Sequence, residues 1–110
     1  MPTRKQWNIM TKVTTTGEKA AVSFDAQRPV CYECCFKAVG AATVSATVYL
    51  QGSNDGSTWY TLVTFTLSNA TPSGCAAFDA PYPYIRANVN AISISVAGAY
   101  LEMTASTVID

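Results

Sequence analysis

The chain has 110 residues, seven basic and seven acidic side chains, no histidine, and an apolar share of 49% against 13% charged. That length fits one domain able to bury about two-thirds of its unfolded surface, and the composition is that of a packed chain and not of a disordered tail. Balanced charge argues against nucleic acid or anionic membrane as the main partner, and the lack of histidine removes Ser-His, Cys-His and His-metal chemistry.

In chain order, residues 1–5 carry Pro2, Arg4 and Lys5 ahead of any apolar alternation and are expected to form a short mobile arm, with residues 6–110 as a single domain. The start has no apolar core of a signal peptide, and no run approaches the roughly eighteen apolar residues of a membrane helix, so synthesis and folding in a cytoplasm, away from membrane, are expected. Period-two patterning then marks strands over Gln6 to Thr14, Lys19 to Phe24, Pro29 to Val39, Thr43 to Gly52, Thr58 to Leu67, Gly74 to Phe78, Tyr84 to Asn88 and Ala91 to Thr104. No segment sustains a helical period. In the first run Trp7, Ile9 and Val13 share a face, which suits either core or interface for Trp7.

The third run holds Cys31, Cys34 and Cys35, with Cys75 far away in sequence. Zinc needs converging thiolates from knuckle turns, whereas here a single CxxC lies in a strand pattern, so no metal or other cofactor is expected. Without an export signal the thiols are expected to be reduced, packing as small hydrophobes, with a disulfide to Cys75 as the alternative.

The fourth and fifth runs are joined by Ser53-Asn54-Asp55-Gly56-Ser57, a polar glycine-bearing turn that reads as a hairpin. Val44, Ala46, Val48 and Leu50 fall on one face, and downstream Trp59 is expected to share the core face of Val63, Phe65 and Leu67. Pro81 and Pro83 bracket Tyr82 and place the next run at a sheet edge or just after a loop. In the last run Ile92, Ile94 and Val96 alternate and Leu101 and Met103 take the opposite phase, so Gly98 between them is expected to mark a β-bulge. About eight short strands in one domain make an all-β, two-sheet antiparallel sandwich of jelly-roll or Greek-key type.

The segment from Leu50 to Leu62, with Ser53-Asn54-Asp55-Gly56 and Trp59, and the later Tyr82-Pro83-Tyr84-Ile85-Arg86-Ala87 resemble paired segments of discoidin-like, carbohydrate-binding-module-like jelly rolls. Over roughly Thr43 to Thr104 the chain is similar to the capsid decoration proteins, also called cement or staple proteins, of tailed bacteriophages. That resemblance implies a virion protein on the capsid exterior, made in the host cytoplasm, often a homodimer, that bridges neighbouring major capsid subunits against internal DNA pressure. A staple requires surface and multivalent attachment rather than chemistry. Arg4, Lys5, Trp7 and Ile9 near the start are candidate contact residues, and so are the aromatics Tyr82 and Tyr84; Tyr49 and Tyr100 pose the same question of interface against packing.

Two other functional classes make different demands on the chain. An enzyme would need a carboxylate pair about 5–9.5 Å apart drawn from Asp25, Glu33, Asp55, Asp79 and Glu102, and nothing in their spacing suggests one, so the chain is not expected to be an enzyme. A glycan-binding module of a tail fibre or adhesin would use Trp59 as a platform with Asn54 and Asp55 beside it.

Overall fold

The computed structural model describes residues 3–23, 30–78 and 82–109, and side chains within 5–23, 30–77 and 82–107. Asp25, Asp79 and the side chain of Arg4 therefore lie outside the described residues. The strands are β1 (Thr3–Val13), β2 (Gly17–Glu18), β3 (Val22–Ser23), β4 (Val30–Lys37), β5 (Val44–Ser53), β6 (Tyr60–Ser68), β7 (Ser73–Phe78), β8 (Tyr84–Ile94) and β9 (Tyr100–Ile109). They form a four-stranded sheet in the order β1-β9-β4-β7 and a five-stranded sheet in the order β2-β8-β5-β6, with β3 also paired to β8. Every strand pairing is antiparallel. Because β2 and β3 pair along the same strand, they occupy one strand position broken at Lys19–Ala21, and the chain shuttles between sheets in jelly-roll order.

The alternation expected of half-buried strands is present. Val30, Tyr32, Cys34 and Phe36 of β4, and Val44, Ala46, Val48 and Leu50 of β5, meet Leu101, Met103, Ile85 and Val89 in one core. Bulges explain where that alternation breaks. In β1 the register slips after Asn8, so consecutive Ile9 and Met10 are both buried, at 4% and 6% exposure. In β8 an extra residue, Asn90, stands opposite the Thr47–Val48 step, and the core-facing set switches from Ile85, Ala87 and Val89 to Ile92 and Ile94.

Three expectations are corrected by this arrangement. Residues 91–94 continue β8 past the Asn90 bulge, whereas Gly98 lies in the connection that carries the chain to the other sheet; its phase change marks a change of strand and not a bulge. Within the expected arm, Thr3, Arg4 and Lys5 are paired to Ile109, Val108 and Thr107, because β9 offers backbone partners whatever the side-chain pattern. In β6 the pairs Leu50–Val63 and Gln51–Thr61 leave Leu62 as an extra residue. That bulge turns Thr61 and Trp59 away from the face of Val63, Phe65 and Leu67, and Trp59 does not join the core.

Candidate interaction surface

The hairpin turn between β5 and β6 is rigid for local reasons. Ser53 is wholly buried, and its hydroxyl accepts from the amides of Asp55 at 3.2 Å and Gly56 at 2.9 Å. Asp55 Oδ1 accepts from the amides of Ser57 and Thr58 at 2.8 and 2.9 Å and from the Ser53 hydroxyl at 3.0 Å. These donors hold the Asp55 carboxyl below the ordinary aspartate range, the Thr58 amide most of all. Gly56 closes the turn with φ of +79°, a left-handed conformation that suits glycine.

This turn carries Trp59 over the outer face of the five-stranded sheet. The Arg86 guanidinium lies 4.2 Å from the Trp59 ring centroid, and its Nε donates to Gln51 Oε1 at 2.8 Å. Its Nη1 pairs with Glu18 Oε2 at 3.3 Å, and Gln51 Nε2 donates to Thr61 Oγ1 at 3.3 Å. Arg86 and Gln51 are cross-strand partners facing outward, so this ladder ties β2, β8, β5 and β6 together. Stacking on indole restricts both groups and leaves Trp59 half-buried.

On the inner side of the same end, Tyr82 packs over Gly52. A Cβ at position 52 would lie 2.7 Å from Tyr82 Cγ and Cδ2, so only glycine admits the ring there. Tyr60, directly opposite Gly52, is 53% exposed, and its ring centroid is 6.4 Å from that of Tyr82. Tyr84 is 36% exposed, with its ring 4.0 Å from where a Cβ of Gly56 would stand. The two segments that are twenty residues apart in sequence thus meet at one end of the sandwich, as partners in β5–β8 register from Leu50–Ala87 to Ser53–Tyr84.

The candidates on β1 are placed differently. Lys5 Nζ sits 5.0 Å over the Trp7 ring, and Trp7 is half-buried against the core cluster. Ile9 is a core residue and is not available at the surface. Tyr49 and Tyr100 are half-buried, the latter with Lys12 Nζ 6.0 Å from its ring centroid. The stack of Trp59 on Arg86 and the exposed Tyr60 were missed as contact candidates; the signal, a bulge at Leu62, is carried by register and not by residue type.

The four cysteines are free thiols: Cys34 and Cys35 are buried, Cys31 and Cys75 exposed. Burial pushes the Cys34 thiol up to about 12. Among the described residues, no group of three or more His, Cys, Asp or Glu side chains is placed to hold a metal ion, and no helix is long and apolar enough to cross a membrane. No protein-family profile, curated protein or solved structure matches the chain.

Proposed function

We propose that this jelly roll is a structural adhesion module, a staple that docks on the outside of a phage capsid and links neighbouring major capsid subunits. The observation that supports it is the aromatic end just described: Trp59, Tyr60, Tyr84 and Arg86 are the residue types that dominate protein contacts, held on a braced turn and two sheet strands. Their rigidity lowers the ordering cost of docking. The Ser53 hydroxyl and the Oδ1 of Asp55 are committed to the turn's own backbone, which fixes the platform that the aromatic side chains stand on. Copies contacting several subunits would add modest contact energies into resistance against internal pressure.

The glycan-binding reading is kept as the second, because Trp59 is half-buried outside the core and directly follows the turn that carries Asn54 and Asp55. Purified protein added to particles lacking it separates the two. The staple reading expects saturable rebinding and a higher temperature of DNA release, whereas a glycan module would leave shells untouched and change Trp59 emission on sugar titration.

A further inference from the structure

The outer face of the four-stranded sheet carries chemistry that docking at the aromatic end does not use. Cys31 of β4 and Cys75 of β7 are both exposed and reduced. The register pairs Cys31 with Ala77 and Glu33 with Cys75, so the two thiols are diagonal cross-strand neighbours on one face, with the Glu33 carboxylate beside both. They line a shallow depression of about 540 Å3 with Glu33, Gln6, Thr104 and Ser106.

Diagonal neighbours on adjacent strands stand roughly 7–8 Å apart, beyond the ~4.4–6.8 Å between Cα atoms that a disulfide tolerates. At a metal–sulfur length near the zinc value of about 2.3 Å, a cation bridging two thiolates needs sulfurs only about 4.6 Å apart, a far looser demand than the S–S bond of about 2 Å in a disulfide. Two sulfurs with no third converging ligand among the described residues suit a soft monovalent ion that accepts two-coordination, and thiolate softness selects copper(I) over hard divalent ions. The carboxylate makes the lining anionic, favouring a cation over an anionic ligand.

We propose that Cys31 and Cys75 form a two-coordinate site for a soft, thiophilic monovalent cation of the copper(I) type. Binding forms two S–Cu bonds and releases the two thiol protons to solvent, and the metal enters and stays as copper(I), so no oxidant or reductant is consumed. Cys35 faces the same side and is by register the other diagonal neighbour of Cys75, but it is only 7% exposed and lies outside the depression that Cys31 and Cys75 line, so it is not part of the site.

The test is an anaerobic titration of the intact chain with copper(I) against a coloured copper(I) chelator. The expected result is one equivalent bound by the wild type and by Cys35→Ser, with affinity reduced at least 100-fold in Cys31→Ser and in Cys75→Ser. On the wild type alone, one equivalent should protect Cys31 and Cys75 together from alkylation, read by peptide mass spectrometry. Retained affinity in either single variant, loss of affinity in Cys35→Ser with the fold intact by near-ultraviolet circular dichroism, or independent protection of the two thiols would overturn the proposal.

Discussion

Replacing Gly52 with alanine tests how the aromatic end is sealed. The added methyl would stand 2.7 Å from Tyr82 Cγ and Cδ2 and 3.0 Å from Tyr82 Cβ, against ordinary contact near 3.4–4 Å. Rotating the Tyr82 side chain cannot move its own Cβ, so relief requires displacement of the backbone leading into β8. Overpacking of this kind costs about 1–3 kcal/mol, and the alanine recovers about 0.4–1 kcal/mol by restricting the unfolded chain. The net expectation is a loss of about 1–2 kcal/mol, or a Tm lower by about 4–8 °C for a chain of this size. Urea unfolding of Gly52→Ala, Tyr82→Ala and the double variant gives the coupling. The cost of Gly52→Ala should shrink by more than half when Tyr82 is already alanine, because the two 2.7 Å contacts go while the 3.0 Å contact with the Cβ of residue 82 stays. A Gly52→Ala protein as stable as wild type, or the same cost in both backgrounds, would refute the packing argument.

Four further outcomes follow from the same structure. Ala38 has φ of +54° between β4 and β5, so Ala38→Gly should raise stability by about 1 kcal/mol in urea unfolding. Asn69 accepts from the Val44 amide at 2.8 Å and donates to the Ala42 carbonyl at 2.9 Å, and Asn69→Ala should cost about 1–3 kcal/mol by leaving both groups unpaired. Because the folded-state pKa of Asp55 is lowered, its contribution is present above the ordinary value of about 3.9 and is lost as pH falls through the folded value; Asp55→Asn should flatten that part of the acid limb of a stability–pH curve. A thiol reagent should label Cys31 and Cys75 in the native protein and reach Cys34 only on unfolding, since Cys34 is fully buried and its thiol stays protonated.

Strand content, the hairpin at Ser53–Thr58 and the inward face of β5 were legible because a period of two and turn chemistry are local properties. Bulges were not: at Asn90 and Leu62 one extra residue reverses which neighbours face the core, and nothing in their side chains announces it. The same defect hid the surface. Trp59 reads as core when counted down from Leu67, and the slip at Leu62 turns it onto Arg86. The break between β8 and β9 was misplaced because Asn88 and Asn90 look like punctuation, although β8 runs through both to Ile94. Ile9 shares the apolar alternation of Trp7, and sequence spacing does not tell a strand's buried middle from its half-open start.

The most direct test of the proposed adhesion role is the copy number of this chain in purified particles of the proposed phage, measured by quantitative mass spectrometry against the major capsid protein. The account predicts a fixed stoichiometry comparable to that of the capsid subunits, with Trp59→Ala or Tyr60→Ala lowering occupancy while the isolated protein stays folded. Particles that contain no copies, or a few only at the tail, would contradict it.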